Sequence, residues 1–361
     1  MSRTLLKASF TLVGAIIGAG IFALPAAFHR VGALPASIVF WSMAILVVLT
    51  HLMFVDVELA LEKRGRLASA VRKWLGAGAY RLASVTYPFQ LSGALIAYLL
   101  LGAGFLQALL QPLTGTVSVL IWQICFWVGG AITVVAGLKW VARVESVVIW
   151  FLISILLLLS IWHWPMRTYA VSGDWSSAFG LFGICLFSLT GISGIGEVVD
   201  LTSKKRRQAR LAIVIGTLLA ALISWTFALS FAGSLTNMNE NGVRILALVG
   251  FLAVSGAFMI TSQDLGATLW LDLGVPRLWS IGLAIGAPLL FVLFTQANTY
   301  RVIDTVGALF GGLNGVLIAL VASRLYAYRH DTKRNWREFA CLLVGLVYLL
   351  GIAHWLWNVS V

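Results

Sequence analysis

The groups in this chain best suited to bind a small ligand are backbone groups rather than reactive side chains. Gly14, Gly18, Gly20 and Pro25 crowd the middle of an apolar segment that runs from about residue 7 to residue 28. This composition predicts a helix that breaks there and leaves N–H and C=O groups unpaired. In hydrocarbon each such group costs several kcal/mol unless protein or a water-filled cavity satisfies it. The pattern therefore predicts a break that borders a cavity.

A second glycine-rich interruption occupies residues 189–196. Its pair Gly194 and Gly196 repeats the spacing of Gly18 and Gly20. Interrupted segments at matching positions of two halves of a chain indicate a binding site near the bilayer midplane. The alternative is a glycine-rich face that lets two helices pack closely.

The elements that must position these breaks are membrane-spanning helices. Hydrophobic residues make up 60% of the chain and charged residues 11%, against about 25% charged in soluble domains. Mean hydropathy is +0.97. We therefore predict an all-α integral membrane protein with a single transmembrane domain over residues 1–361. It would have eleven spans, near residues 7–29, 33–58, 82–110, 116–137, 141–164, 177–199, 211–235, 244–271, 277–296, 302–323 and 338–358.

The basic residues predict the orientation of these spans. If the N-terminus is cytoplasmic, the inner segments hold 21 of the 25 Lys and Arg residues. This bias predicts a cytoplasmic N-terminus and an outer C-terminus in the plasma (cytoplasmic) membrane. The net charge of +12 then serves topology, and we expect the lipid bilayer rather than nucleic acid as partner.

The spans divide into five, five and one. Repeat one covers about residues 7–164, repeat two about 177–323, and an extra helix about 338–358. Because each half has an odd number of spans, the halves have opposite topology. The two breaks then fall in the first helix of each repeat, spans 1 and 6.

Residues 14–25 resemble the first-helix motif of the amino acid–polyamine–organocation superfamily, closest to its amino acid/auxin and hydroxy/aromatic amino acid permease branch. Ala97-Tyr98, Thr261-Ser262 and Gly311-Gly312 resemble further positions of that branch. The resemblance implies the leucine-transporter-like inverted-repeat fold with discontinuous helices 1 and 6. It also implies secondary transport of amino acids by alternating access, coupled to Na⁺ or H⁺.

Break geometry and the family pattern together predict the substrate site. Free N–H groups at a half-helix start suit a carboxylate, and free carbonyls suit an ammonium group. Tyr98 either donates to the carboxylate or is a packed core residue, and Phe22 and Phe187 either gate the pocket or pack. The predicted substrate-binding residues are Ala15, Ile16, Gly18, Ala19, Gly20, Ile21, Phe22, Tyr98, Phe187, Ser188, Thr190 and Gly191.

The coupling ion has two candidate sites. Hydroxyls of Thr261 and Ser262 with carbonyls near Gly14 and Ile17 could hold Na⁺, unless the hydroxyls bond back to their own helix. Asp264 could complete that site or bind a coupling proton.

Two further predictions concern charged residues. Glu145 is the second candidate for the coupling proton, although it could instead pair with Arg143. We also predict an inner gate in which Asp272 pairs with Arg3 or Lys7.

Enzymatic function is not expected. The three cysteines lack paired spacing and the five histidines lie on five segments, so we expect neither a catalytic centre nor a cofactor. Two alternatives stay open: a transporter of another solute on the same fold, and an amino acid sensor that does not transport. The sequence predicts neither the oligomeric state nor the individual substrate.

Overall fold

The computed structural model describes residues 3–61, 66–115, 117–136, 151, 153–162, 173, 175, 177–232, 238–295, 297–329 and 334–360. These residues form helices and the turns that connect them. The helices are α1 Arg3–Ile16, α2 Gly20–Val31, α3 Ala33–Glu58, α4 Leu67–Thr114, α5 Val119–Ala136, α6 Ile153–Trp162, α7 Phe182–Leu189, α8 Ile192–Leu201, α9 Arg206–Phe231, α10 Glu240–Ala267, α11 Arg277–Phe294, α12 Thr299–Thr305, α13 Gly312–Tyr328 and α14 Arg334–Ser360.

Both predicted breaks are present. Helices α1 and α2 meet at a bend of 62°, and residues 17–19 lie between them. In span 6, α7 ends at Leu189 and α8 begins at Ile192, with Thr190 in an extended conformation. The helices are thus interrupted within the glycine-rich segments that the sequence predicted, but Pro25 lies inside α2, and Gly194 and Gly196 lie inside α8.

The spans agree with hydropathy as far as the structure describes them. Eight described segments are long and apolar enough to cross a membrane when α7–α8 and α12–α13 each count as one, or nine with the bent pair α1–α2. The predicted spans at 116–137 and 141–164 contain the shorter helices α5 and α6. Much of the span 141–164 lies outside the described residues. The count of eleven stays a prediction.

Two features interrupt the regular geometry of the long helices. Gly76 has φ 83° and separates a short first arm of α4 from its membrane-length remainder; only glycine enters this left-handed region readily. A π-helical turn, Val306–Gly311, links α12 to α13. Such turns often mark functional positions in helices.

The helices pack in pairs around the breaks. Helix α1 packs on α9 and α8, and α10 packs along α4. The last helix, α14, lies on α13, where the Tyr348 ring covers Gly315 and its hydroxyl contacts Thr50 Oγ1 at 2.9 Å. The extra helix is therefore joined to the repeat region through a buried polar contact.

Candidate functional site

The two breaks lie against each other in the core. A Cβ at Gly20 would come within 2.6 Å of Ser188 Oγ, and one at Gly194 within 2.6 Å of the Ala15 Cβ. A Cβ at Gly191 would meet the Ile16 side chain. Glycine at these positions therefore allows the half-helices of the two spans to approach closely.

A cavity opens where the breaks meet. Its volume is about 50 Å³, below the roughly 300–1,000 Å³ usual for ligand pockets, so the two breaks must move apart to admit a ligand of amino acid size. It contains five residues that the sequence predicted for substrate or ion: Ala15, Tyr98, Phe187, Thr190 and Thr261. Its other lining residues are Tyr87, Gln90, Leu91, Ala94, Ile192, Ser193 and Val306.

Tyr98 joins the first break to α10. Its hydroxyl would lie 3.4 Å from a Cβ at Gly18 and is within hydrogen-bonding reach of Thr261. Tyr98 is 8% exposed, so it is packed and lines the cavity at the same time. Both readings of this tyrosine are therefore compatible with its position.

The remaining predicted substrate residues are not among those that line this cavity. Ile16, Ala19 and Ile21 are buried, and the Ser188 hydroxyl donates to the Ile184 carbonyl at 2.7 Å. Phe22 meets two other rings edge-on, Phe105 at 4.9 Å and Phe227 at 5.6 Å.

The predicted sodium ligands lie on two helices that pass each other, Gly14 and Ile17 at the first break and Thr261 and Ser262 on α10. Ala257 lies beside Gly18, so α10 passes the first break. The Ser262 hydroxyl donates to the Phe258 carbonyl at 2.7 Å, as the alternative interpretation expected. Its oxygen keeps lone pairs that a cation could use. The sodium site stays a prediction.

Asp264 lies behind Tyr87, which lines the cavity. The Tyr87 hydroxyl donates to its Oδ2 at 2.6 Å, and Arg66 Nε lies 3.2 Å from its Oδ1. That N–H is not aligned with Oδ1, which has no hydrogen bond among the described residues. The carboxylate is 3% exposed, so its charge is balanced mainly by Arg66. The other predicted proton carrier, Glu145, lies outside the described residues.

The predicted pair of Asp272 with Arg3 or Lys7 is not among the described contacts. Asp272 instead accepts hydrogen bonds from Ser69 Oγ at 2.5 Å and from the backbone N–H groups of Arg66 and Ser69 at 3.2 and 3.3 Å. The first N–H groups of a helix are free and form the positive end of its dipole. The start of α4 therefore takes this carboxylate, and the predicted gate pair is corrected to a helix cap.

A histidine that the sequence analysis set aside holds the second break. His51 on α3 is 1% exposed. Its Nε2 accepts the Gly191 N–H at 3.2 Å, and its Nδ1 lies 3.0 Å from Thr217 Oγ1 on α9. A polar ring within the apolar segment 33–58 was the only sequence signal of this role.

Asp56 ties three helices together near the basic end of the bundle. Arg206 binds it through two hydrogen bonds of 2.9 and 3.1 Å, and Arg210 Nη1 lies at 2.5 Å. The Tyr326 hydroxyl donates at 2.9 Å. The 0% exposed carboxylate thereby joins α3 to α9 and α13.

Solved structures share this fold. MhsT, in complex with L-phenylalanine, aligns over 98% of this chain and 99% of its own at TM-score 0.68 and 16% identity. Mhp1, a nucleobase-cation-symport-1 family transporter with bromovinylhydantoin bound, covers 98% of this chain and 92% of its own at TM-score 0.64 and 14% identity. A manganese transporter of Eremococcus coleocola aligns over 98% of this chain and 88% of its own at TM-score 0.61 and 12% identity. The predicted leucine-transporter-like, all-helical fold is confirmed.

Sequence comparison gives the family. No curated protein sequence matches the chain. The model of the tryptophan/tyrosine permease family matches residues 1–256 of its 361. The predicted resemblance to a permease is thereby confirmed, and the protein is a multi-pass membrane transporter rather than an enzyme. The chain belongs to the tryptophan/tyrosine permease family.

Proposed function

We propose that this permease carries amino acids with aromatic side chains into the cell by alternating access, driven by a gradient of Na⁺ or H⁺. The observation that carries the proposal is the cavity between the two breaks. Ala15 lines it from the end of α1 at the first break, Thr190 lines it from the second break, and Tyr98 adds a hydroxyl. This combination suits both charges of an amino acid.

The cavity walls favour an aromatic side chain. Leu91, Phe187, Ile192 and Val306 supply apolar surface, and Ala94 leaves space on α4. The family is that of tryptophan/tyrosine permeases, and the structurally similar MhsT is complexed with L-phenylalanine. These likenesses support an aromatic substrate.

Coupling requires a cation whose binding favours the substrate-loaded state. For Na⁺, the oxygens of Thr261 and Ser262 with the carbonyls near Gly14 and Ile17 remain the proposed ligands. For H⁺, Asp264 remains the proposed carrier. We further propose that the protein spans the plasma membrane with its N-terminus in the cytoplasm, because the basic residues cluster on that side.

Counterflow in proteoliposomes tests the proposal. The full chain is reconstituted, loaded with unlabelled tryptophan, tyrosine and phenylalanine, and given one labelled amino acid outside. We expect accumulation above that of empty liposomes. Absence of accumulation by folded protein, followed by counterflow of another solute, would contradict the amino acid assignment. Binding of these amino acids without exchange would indicate a sensor.

Imposed gradients then identify the ion. With the membrane potential clamped, labelled substrate is supplied under an inward Na⁺ gradient or an inward H⁺ gradient. If Na⁺ drives uptake, Thr261→Val should abolish the Na⁺ dependence while counterflow continues. Equal uptake without either gradient would contradict coupled transport.

A further inference from the structure

A chain of three side chains fixes an amide at one end of the cavity. Thr86 Oγ1 donates to Asn314 Oδ1 at 2.7 Å, and Asn314 Nδ2 donates to Gln90 Oε1 at 2.6 Å. Thr86 and Asn314 are 3% and 0% exposed, whereas Gln90 is half-buried and lines the cavity. Because Asn314 occupies Oε1, the Nε2 group of Gln90 keeps N–H donors for a ligand.

The position of Gln90 follows from the helix that carries it. Tyr87, Gln90, Leu91, Ala94 and Tyr98 all line the cavity from α4. Their spacing of three or four residues places them on one helical stripe. Gln90 lies eight residues before Tyr98, which is about 12 Å along the helix axis.

The two ends of this stripe face different parts of a ligand. Tyr98 lies against Gly18 in the first break, where the carboxylate is proposed to bind. Gln90 lies toward the other end, with apolar Leu91 and Ala94 between it and Tyr98. Tyr87, one turn further, donates its hydroxyl to Asp264. The amide lies near Gly311, where an added Cβ would be 3.5 Å from Gln90 Nε2, an ordinary contact distance. A ligand with its carboxylate at the break therefore directs the end of its side chain toward Gln90.

We infer that Gln90 determines specificity by donating a hydrogen bond to a hydroxyl group at the far end of an aromatic side chain. The inference rests on the proposed function and narrows its substrate to tyrosine-like amino acids. A phenol oxygen accepts such a bond, whereas an indole N–H only donates and a phenyl ring does neither. Asn314 is a positioning residue, because it acts through the amide of Gln90.

Competition in counterflow tests this inference on the full chain in proteoliposomes. Labelled tyrosine is the substrate, and unlabelled tyrosine, phenylalanine and tryptophan compete. We expect tyrosine to compete about tenfold better than the other two, the effect of one hydrogen bond in a partly hydrated cavity. The Gln90→Met variant keeps the length of the side chain but removes its donors. It should reduce the tenfold preference to about one while uptake of phenylalanine continues.

Three further variants separate specificity from folding. Gln90→Asn shortens the side chain by one methylene and should also lower the preference for tyrosine. It replaces Gln90→Met as the test if that variant does not fold. Asn314→Ala keeps the amide but releases it, so the tyrosine preference should fall partway. Gln111→Met lies on the same helix at an exposed position and should leave the preference unchanged.

The outcomes distinguish this inference from the proposed function. Wild-type protein that takes phenylalanine as readily as tyrosine, or Gln90→Met that retains the tyrosine preference, overturns the role of Gln90 while aromatic transport stands. Failure to take up any of the three amino acids overturns both.

Discussion

The imidazole of His51 accepts the backbone N–H of Gly191 at 3.2 Å, across 140 residues of sequence. Gly191 precedes α8, so this N–H belongs to the break in span 6. The other ring nitrogen of His51 lies 3.0 Å from Thr217 Oγ1. Since Nε2 accepts, Nδ1 carries the hydrogen and donates to Thr217. The neutral His51 ring on α3 therefore links the break at Gly191 to Thr217 on α9.

Replacing His51 should weaken substrate binding without removing any group that touches substrate. His51→Phe keeps a ring but leaves the buried Gly191 N–H unpaired, at a cost of about 1–3 kcal/mol. We expect the apparent affinity for substrate to fall about tenfold, measured as the half-saturating concentration in counterflow. His29→Phe, at the exposed end of α2, is the control. Unchanged affinity in His51→Phe would contradict the positioning role.

Gly20→Ala should abolish transport. The added Cβ would come within 2.5 Å of the Ser188 Cα and 2.6 Å of its Oγ, so the two half-helices must separate. Because one clashing atom is backbone, Ser188→Ala should not rescue the variant. Gly256→Ala is a matched control, since a Cβ there meets nothing within 4 Å, and helical alanine is favoured over glycine by roughly 1 kcal/mol. Counterflow by Gly20→Ala at wild-type rate would show that the breaks do not pack this closely.

Arg66→Ala should make the cavity more accessible to reagents from the predicted inner side. Tyr87 lines the cavity and donates to Asp264, which Arg66 neutralises. Loss of Arg66 leaves a buried carboxylate unpaired, which favours states that hydrate it. We expect a cysteine introduced at position 193 in the cavity to react about tenfold faster with a thiol reagent added from the predicted inner side.

Two further variants interpret that accessibility result. Arg66→Lys should give an intermediate rate, because lysine keeps the charge but lacks the planar fork of arginine. Arg324→Ala removes an exposed basic residue of α13 and should not change the rate. Faster labelling only from the opposite side would contradict the role of Arg66 in closing the predicted inner side.

Asp56→Ala should destabilise the protein rather than alter specificity. The buried carboxylate binds Arg206, Arg210 and Tyr326, and breaking such a pair costs about 3 kcal/mol. A lower midpoint of thermal unfolding in detergent is the expected result. Glu240→Ala removes an 88% exposed partner of Arg244, a surface pair worth about 0.5 kcal/mol or less, so its midpoint should stay near wild type. Equal shifts in the two variants would contradict the anchoring role of Asp56.

The sequence by itself determined the features that depend only on residues close together in the chain, namely the helix breaks and the membrane spans. The glycines between residues 14 and 20 favour a helix break because they lack a Cβ atom, whereas Pro25 lies inside α2. Apolar length likewise determines where spans run, because the thickness of the bilayer sets a minimum helix length. Both breaks, and the meeting of Ala15, Phe187 and Thr190 at one cavity, could therefore be predicted.

Only the tertiary structure decided which polar side chains meet. His51 reaches Gly191 across 140 residues, Thr86 reaches Asn314 across 228, and Ser69 replaces the predicted basic partners of Asp272 across 203. Local sequence patterns do not identify such pairs, because the two partners are far apart in the sequence. Burial forces each polar group to find a partner among the residues that packing brings near it. The packing of α3, α4 and α13 around the breaks is what made His51, Gln90 and Asn314 parts of the site.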